Sequence, residues 1–541
     1  MSAKPAIHIF SKSNCNFCTR AKHLLQQEGL DYIEHDVEQS PAMVAASSYY
    51  SGSMNLPQIF IGNQHINGAE DLEALQKSGL LKSLLANADG EISLDSTLEE
   101  QWVAGAEDFT LANVLDKADP TEMLDDAENV LILNFYKPVF GFSAVTYDYM
   151  AVWPDAYKSC ALSNVFPTFM LVMEQLGPMA LASFTYTASH TQGCTYCTVH
   201  AATTGALGTD GQPKAIKALR AAREGNPGPD NPYSALDVAL AELVEQATLN
   251  KVTDDQISKI TELANAAAQD PQQAIEAAAL GGHIMGILNV FNDLLNVDIE
   301  GDLATLAVEE LGIEGGRHGA LESNPDNLVN LDLPAPELSL EDALAARREK
   351  ANDWQNIALQ ALGYVPGWLN DWPESLRPVF TALYTDLMAE VQVSAELKHL
   401  VARTSAIAKG HAALAASAAV SAHHVAEDKD RAIERIKHCF VAATHQSDSD
   451  LFNPAEKLAL RLAWLSAQTP IVTPAQFVKP LTDHFSTHQI IELVVACGIA
   501  CSAQRMAATM QFPLSAGEET FCRENGIETD VLLLKYPLIR S

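Results

Sequence analysis

The stretch SKSNCNFCTRAKHLL, residues 11–25, places two cysteines three positions apart, directly before a run with helical spacing. The β-branched and aromatic run AIHIF at residues 6–10 predicts a short strand ahead of it. Apolar side chains then recur at helical spacing until Gly29 ends the helix. The order of strand, loop and helix therefore places Cys15 at a helix N-terminus, where free N–H groups stabilise a thiolate, and Cys18 one turn further on.

The next segments continue the alternation of strands and helices. They are a strand in LDYIEHDV (30–37), a helix in SPAMVAASSYYSG (40–52), two strands in LPQIFIGNQHI (56–66) and a helix in GAEDLEALQKSGLL (68–81). The order βαβαββα predicts a small α/β domain over residues 1–84, with the dithiol at the end of its first strand.

Three separated motifs of this domain, SKSNCNFC, NLPQIF and NGAEDL, resemble a dithiol glutaredoxin. The resemblance implies a thioredoxin-like fold and a catalytic pair, Cys15 and Cys18, that takes electrons from glutathione. It also implies a glutathione site made by Lys12, Leu56, Pro57, Ala69 and Glu70. Leu56 replaces the usual Val before the proline, and Asn67 replaces the first Gly of the usual pair.

A zinc site at the first dithiol is the alternative interpretation of its cysteines. Structural zinc needs four ligands, usually with a second Cys or His pair about 12–20 residues away. The sequence has no such pair in that range, so redox chemistry is favoured and neither a metal nor a bound cofactor is expected.

Charge and cysteine content limit the partners of the chain. With 69 acidic against 34 basic residues, the net charge of −35 repels nucleic acid and anionic membrane surfaces. The N-terminus lacks the pattern of a secretory signal, and no apolar run of about 18 residues is apparent. The nine cysteines are too sparse for a secreted disulfide framework, and their number is odd. A cytoplasmic location is expected.

Beyond residue 84 the sequence changes character twice. Residues 85–125 are acidic and predict a linker, whereas the remainder is rich in Ala and Leu with a period near 3.6, which predicts helices. A faint similarity at an offset of about 217–222 residues predicts two helical domains, 126–325 and 346–541, joined by a Pro-rich and Asp-rich linker at 326–345. In this alignment Gly410-His411 faces Gly193-Cys194, so one copy keeps a dithiol.

That second dithiol lies in HTQGCTYCTVHAA, residues 190–202. Cys194 and Cys197 share one face near the start of a predicted helix, and His200 follows one turn later. A thiolate, a neighbouring thiol and a proton donor are sufficient to reduce a peroxide through a sulfenic acid that closes to a disulfide.

The motif and its helical setting resemble the superfamily of alkyl hydroperoxidase D and carboxymuconolactone decarboxylase. The resemblance implies that Cys197 attacks the peroxide, that Cys194 resolves the sulfenic acid, and that a His and an upstream Glu relay protons. The family His usually stands where this chain has Ala201, and the Glu is expected near Ala182, so His190 is considered as a substitute. The resemblance further implies a homo-oligomer.

Two dithiols in one chain suggest an electron path from glutathione to Cys15 and Cys18, then to Cys194 and Cys197, and finally to a hydroperoxide. One alternative is a relay that passes electrons to a separate peroxiredoxin or another disulfide partner. A second alternative is a lyase of the carboxymuconolactone decarboxylase type, which the C-x-x-C pair disfavours.

Overall fold

The computed structural model describes residues 5–140, 144–203, 212–321, 333–444 and 450–540. The N-terminal elements are β1 Ile7–Ser11, α1 Asn16–Gln27, β2 Ile33–Asp36, α2 Pro41–Ser51, β3 Gln58–Ile61, β4 Gln64–Asn67, α3 Ala69–Lys77 and α4 Leu81–Asn87. The sheet has the order β2-β1-β3-β4, in which β1 runs parallel to β2 and antiparallel to β3. This architecture confirms the predicted α/β domain of thioredoxin-like fold.

Strand β1 is buried on both faces, because helices cover the sheet on each side. Ile9 points into a core shared with Leu25 of α1 and Leu72 of α3. The next residue, Phe10, points to the opposite face, as the alternation along a strand requires, and packs edge-on against Phe60. The dithiol follows this doubly buried strand, so its position is held by both cores.

The segment 85–125, predicted as an acidic linker, folds against this domain instead of forming a free tether. It contains α5 Glu99–Ala106, whose Trp102 is fully buried in the same core as Phe60. Gln101 Nε2 also donates to the hydroxyl of Tyr49, at 2.6 Å. The acidic composition concealed one large apolar side chain, and its burial holds the segment in place.

The remainder of the chain is largely helical, as predicted, apart from two short parallel strands, β5 Ile299–Glu300 and β6 Ala320–Leu321. Its first half contains α6 Ala127–Phe140, α7 Val145–Met150, α8 Pro154–Cys160, α9 Phe166–Leu176, α10 Pro178–Gln192, α11 Thr195–Thr203, α12 Gln212–Arg223, α13 Ala235–Thr248, α14 Asp254–Ala266, α15 Pro271–Leu295 and α16 Gly301–Leu311.

Its second half begins with α17 Leu340–Lys350; residues 326–332 of the predicted second linker lie outside the described residues. The helices that follow are α18 Trp354–Leu362, α19 Gly367–Asn370, α20 Arg377–Met388, α21 Ala395–Lys409, α22 Ala412–Val425, α23 Lys429–Thr444, α24 Pro454–Ser466, α25 Ala475–Val478, α26 Leu481–His484, α27 Thr487–Met510, α28 Ala516–Glu524 and α29 Val531–Lys535.

The order of helices in the first half recurs in the second. Helices α10 and α11 begin at residues 178 and 195, and α21 and α22 begin at 395 and 412, which is 217 residues later in each case. Both α10 and α21 end on a glycine in the left-handed conformation, Gly193 and Gly410. The cysteine pair follows the first glycine, and His411 follows the second.

Helices α15 and α27 pack against each other at the centre of the helical region. Both have the length and hydropathy of a membrane span, but 94% and 100% of the residues in their most apolar windows are buried inside the protein. Such burial is typical of the central helices of a packed core. Their close approach depends on small residues, because the α carbon of Gly286 faces the backbone of Ser502.

Substitution of Gly286 by Ala is expected to destabilise the helical region by about 1–3 kcal/mol through overpacking. A Cβ atom at this position would lie 2.5 Å from the Cα atom of Ser502, which is backbone and cannot rotate away. The midpoint of thermal unfolding measures the effect. Gly517→Ala is the matched control, because a Cβ there meets nothing within 4 Å. An equal midpoint in both variants would contradict the expected close packing.

Candidate active site with two dithiols

The first dithiol lies at the start of α1, where the sequence predicted it. Cys15 is the N-cap residue, and its Sγ accepts the backbone N–H of Cys18 at 3.0 Å. The two sulfurs form a disulfide in this structure; Cys15 is partly exposed and Cys18 is buried. The exposed member of the pair is therefore the one that an incoming sulfur can reach first.

Leu56, one of the predicted glutathione residues, lies beside this cysteine pair. The carbonyl oxygen of Leu56 lies 3.7 Å from Cys15 Sγ, and the Leu56–Pro57 peptide is cis. Ala69 and Glu70 form the first turn of α3, and Lys12 is exposed beside the dithiol loop. The start of α3 lies close to Pro57, because a Cβ atom on Gly68 would be 3.5 Å from the carbonyl oxygen of Pro57.

Asn67 takes the left-handed conformation at the edge of this group, with φ of +62°. Asparagine tolerates this conformation better than most residues other than glycine, so the departure from the usual Gly is accommodated. Glu70 already has a partner, because its carboxylate pairs with Lys251 of the helical region at 2.8 Å. The N-terminal end of α3 therefore faces the helical region.

A loop of the second helical half, residues 468–470, connects the two dithiol regions. Asn55 Nδ2, next to Leu56, donates to the carbonyl oxygen of Thr469 at 2.7 Å. On its other side, the loop accepts a hydrogen bond from Gln192 at the carbonyl of Gln468, at 2.7 Å. We call residues 468–470 the strap, because they lie between the two cysteine pairs.

The strap also contacts the residue that precedes the second dithiol. A Cβ atom on Gly193 would lie only 2.8 Å from Pro470, so the backbone at Gly193 is pressed directly against the strap. Its φ of +81° lets α10 end at Gln192 and the chain turn into α11 after two further residues. The strap therefore contacts the backbone adjacent to Cys194.

The second dithiol is buried, and both of its cysteines are free thiols. Cys194 is 0% exposed and Cys197 is 4% exposed. Asn292 of α15 donates its Nδ2–H to Cys197 Sγ at 3.3 Å, which favours negative charge on that sulfur. Burial, and then hydrogen bonding with Cys197, raise the pKa of the Cys194 thiol well above its usual value. The two sulfurs are therefore inequivalent.

His200 lies one turn after Cys197 and pairs with a carboxylate. Its Nε2 is 3.0 Å from Glu300 Oε2, and both side chains are buried. Glu300 Oε1 also accepts the hydroxyl of Tyr196 at 3.0 Å and the backbone N–H of Val145 at 2.8 Å. Burial raises the pKa of Glu300, but the charge and hydrogen bond of His200, with the backbone donors, outweigh it, so the net pKa is lowered.

A buried carboxylate thus lies beside His200, but it belongs to Glu300 and not to the expected position. The expected position, Ala182, is a buried residue of α10, and the acidic group comes instead from strand β5, 100 residues after His200 in the chain. His190, considered as a substitute, is exposed at the end of α10, and its ring stacks on Tyr186 at 5.5 Å. Local spacing gave no signal for Glu300.

A second histidine–carboxylate pair lies beside Cys194, and sequence reasoning missed it entirely. His318 Nε2 is 3.1 Å from Asp293 Oδ1, and both side chains are 1% exposed. Cys194 Sγ, one carboxylate oxygen of Asp293 and one ring nitrogen of His318 all lie within 4.8 Å of one another. Each half of the dithiol thus has a buried imidazole and a buried carboxylate in its neighbourhood.

The geometry of the second dithiol allows its two cysteines to carry out different chemical steps. Cys197 has a hydrogen-bond donor to stabilise a thiolate, and both cysteines lie among groups that hold or move protons. Because the site is secluded from water, charges in it interact more strongly than at the surface. A thiolate beside a protonated imidazole can attack an electrophile and transfer a proton to the leaving group.

Comparison with known proteins identifies relatives of the N-terminal domain. The glutaredoxin family model matches residues 7–66. A glutaredoxin of Pseudomonas aeruginosa is 39% identical over 82 residues, which covers 15% of this chain and 98% of that protein. The hybrid peroxiredoxin hyPrx5 of Haemophilus influenzae is 41% identical over 68 residues, covering 13% of this chain and 28% of that protein.

One solved structure aligns with a third of the chain. The debrominase Bmp8 aligns with 33% of this chain and 94% of its own, at 20% sequence identity and a TM-score of 0.29.

Proposed function

This chain belongs to the glutaredoxin family through its N-terminal domain, and from that premise we propose that it is a glutathione-dependent peroxidase with both redox centres in one polypeptide. Its thiol-disulfide oxidoreductase domain, residues 1–84, reduces the Cys194–Cys197 disulfide. The reduced pair then reduces a hydroperoxide. The helical region is proposed to be a duplicated unit similar to alkyl hydroperoxidase D, acting in the cytoplasm as a homo-oligomer, with a second copy that has lost its cysteines.

The observation that carries this proposal is the buried Cys197 with its polar surroundings. The thiolate of Cys197, hydrogen-bonded by Asn292, attacks the terminal oxygen of the hydroperoxide, and the O–O bond breaks. The pair of His200 and Glu300 supplies the proton that converts the leaving alkoxide or hydroxide to an alcohol or water. Cys197 becomes a sulfenic acid, and Cys194 closes the disulfide with release of water.

The strap supports transfer of electrons within the chain. It contacts Asn55 beside the first dithiol and Gly193 beside the second, so the two centres share one connecting loop. A covalent link between Cys15 and Cys194 requires this loop to move, because Cys194 is completely buried. Holding the two domains in contact replaces a bimolecular encounter with a local movement.

The burial of the second dithiol favours a hydroperoxide over a separate protein as the acceptor. A hydroperoxide needs only a narrow transient opening to reach a sulfur that is 4% exposed. A separate peroxiredoxin would have to bring its own disulfide to the same sulfur, on a molecule whose strap side is already occupied by the N-terminal domain. The small substrate is therefore favoured over the relay.

A variant with Cys18→Ser and Cys197→Ser is expected to trap the transfer intermediate as a disulfide between Cys15 and Cys194. The first change removes the thiol that resolves the adduct on the donor side, and the second removes the thiol that would reverse it. Mass spectrometry of a non-reduced digest detects the crosslinked peptides after mild oxidation.

The matched variant for this trap carries Cys18→Ser and Cys194→Ser, which leaves Cys197 as the acceptor. We expect less crosslinking in it, since Gly193 and not Cys197 borders the strap. Absence of an intrachain crosslink in both variants, with the Cys194–Cys197 disulfide of the unsubstituted chain persisting in excess glutathione, would contradict intramolecular transfer.

A further inference from the structure

We propose that Asp293 and His318 form a second acid–base centre that serves Cys194, so that each sulfur of the buried dithiol has its own histidine–carboxylate pair. This inference rests on the proposed function, because it concerns how the disulfide of that site closes. It assigns Asp293 as the base that takes the thiol proton of Cys194. His318 positions Asp293 and keeps it as a carboxylate.

The hydrogen bonds of His318 determine where its protons lie. Its Nδ1 is 2.8 Å from the carbonyl oxygen of Val297, and a carbonyl only accepts, so Nδ1 carries a proton. Its Nε2 is 3.1 Å from Asp293 Oδ1, which as a carboxylate oxygen is also an acceptor. A second proton must therefore lie between His318 and Asp293, and the pair is equivalent to an imidazolium beside a carboxylate.

The pair of His200 and Glu300 is built in the same way. His200 Nδ1 is 2.8 Å from the carbonyl oxygen of Tyr196, and its Nε2 is 3.0 Å from Glu300 Oε2. The two pairs come from different parts of the chain, yet both combine a backbone carbonyl on Nδ1 with a buried carboxylate on Nε2. This repeated arrangement at one dithiol indicates a shared chemical purpose.

Asp293 retains an acceptor for the thiol proton. Its Oδ2 is buried and accepts no hydrogen bond from the described residues, although a buried carboxylate oxygen normally has a donor. Cys194 Sγ lies within 4.8 Å of a carboxylate oxygen of Asp293 and of a ring nitrogen of His318. A small shift of the sulfur on closing toward Cys197 brings its S–H to this free oxygen.

The step balances without any further reactant. Asp293 Oδ2 takes the proton of the Cys194 thiol, and the resulting thiolate attacks the sulfur of the Cys197 sulfenic acid. The S–S bond forms, the S–O bond breaks, and the departing hydroxide takes a proton from the pair to leave as water. Asp293 and His318 return to their starting state, and one thiol and one sulfenic acid have become one disulfide and one water.

Several other charged or titratable groups lie around the pair of Asp293 and His318. The thiols of Cys194, just before α11, and Cys197, within it, lie near the pair, and the ring of Tyr196 lies 6.4 Å from that of His318. Arg317 contacts the backbone carbonyl of Asp293, but its guanidinium is paired with Asp108 at 3.1 Å. Asp298 accepts the backbone N–H of Gly319 at 2.8 Å. Asp293, by contrast, has a carboxylate oxygen within 4.8 Å of Cys194 Sγ.

The test measures disulfide closure in the full chain with Cys15→Ser and Cys18→Ser, so that only the second centre reacts. After peroxide addition, acid-quenched peptides are analysed by mass spectrometry for the Cys194–Cys197 disulfide and for sulfinic acid on Cys197. In the His318→Gln and Asp293→Asn variants, closure is expected to be about 100-fold slower, since a general base typically contributes that factor or more. Excess peroxide then drives Cys197 to sulfinic acid.

The pH profile separates chemistry from a structural effect. With the internal base, closure should change little between about pH 6 and 8. In Asp293→Asn, Cys194 must lose its proton to solvent, so the rate should rise about tenfold per pH unit below the pKa of that thiol. His283→Gln is the matched control, because His283 is an equally buried histidine bonded to a backbone carbonyl elsewhere on α15.

A second oxidant distinguishes failure of this inference from failure of the proposed function. Methyl methanethiosulfonate converts Cys197 to a methyl disulfide, which Cys194 then resolves with loss of methanethiol and no peroxide. Peroxide could leave Cys197 unmodified while closure from the methyl disulfide is still slowed in His318→Gln. That result would support the acid–base role of Asp293 and His318 and would contradict the proposed peroxidase activity. Closure within twofold of the parent in both variants, or equal slowing in His283→Gln, overturns the assignment.

Discussion

Cys197→Ser is expected to reduce peroxide-dependent oxidation of NADPH to the uncatalysed background when the protein is assayed with glutathione, glutathione reductase and a hydroperoxide. A serine hydroxyl is not appreciably ionised at neutral pH and cannot form a disulfide, so both the attack and the regeneration are lost. The hydrogen bond from Asn292 does not compensate, because it stabilises a thiolate that is no longer present.

Two controls make this loss specific. The same variant should still reduce a small disulfide through Cys15 and Cys18, because the N-terminal domain has its own core. Cys497→Ser removes another buried thiol from the helical region and should keep peroxidase activity. Peroxide-dependent NADPH oxidation that persists in Cys197→Ser would place the chemistry elsewhere, and its absence from the unsubstituted chain would favour the relay or the lyase.

Glu492→Gln is expected to lower the free energy of unfolding of the helical region by about 3–5 kcal/mol, since it leaves a buried charge without its partner. Lys398 Nζ lies 2.6 Å from Glu492 Oε2, and both side chains are 0% exposed. The same ammonium group lies 4.7 Å from the centre of the Trp153 ring, so the ion pair also joins the two helical halves. A neutral amide keeps the size of Glu492 but not its charge.

The pH dependence of this variant has a defined sign. Burial lowers the pKa of Lys398 despite the opposing charge of Glu492, so the folded state binds this proton less tightly than the unfolded state. Without Glu492 the pKa falls further, and the penalty is greatest at low pH, where Lys398 is charged. The loss of stability should therefore shrink as the pH rises through the lowered pKa of Lys398.

The comparison variant for this ion pair is Glu310→Gln. Glu310 pairs with Lys217 at 3.1 Å, but both side chains are about half exposed, so the expected loss is below about 1 kcal/mol. Thermal unfolding followed at several pH values measures both variants. A loss of the same size in Glu492→Gln and Glu310→Gln would contradict the view that burial makes the Lys398 pair structurally important.

The residues that local spacing could place were predicted well. Cys15 and Cys18 lie at the start of α1, as the strand and helix patterns required. Cys194 and Cys197 lie where α10 gives way to α11, after the glycine that the sequence marked. These features depend on neighbours within a few turns, and periodicity and helix boundaries report such neighbours directly. Composition was a poorer guide, since it hid the burial of Trp102 in an acidic segment.

The sequence by itself determined the N-terminal fold, the helical character of the remainder and the positions of both dithiols. Only the tertiary structure decided their surroundings: Asn292 and Glu300 at the second dithiol, Asp293 and His318 beside Cys194, and the strap between the two centres. These groups lie roughly 100 or more residues from the cysteines in the chain. A side chain so distant in the sequence leaves no periodic signal. It becomes a neighbour of the cysteines only when the helices pack against each other.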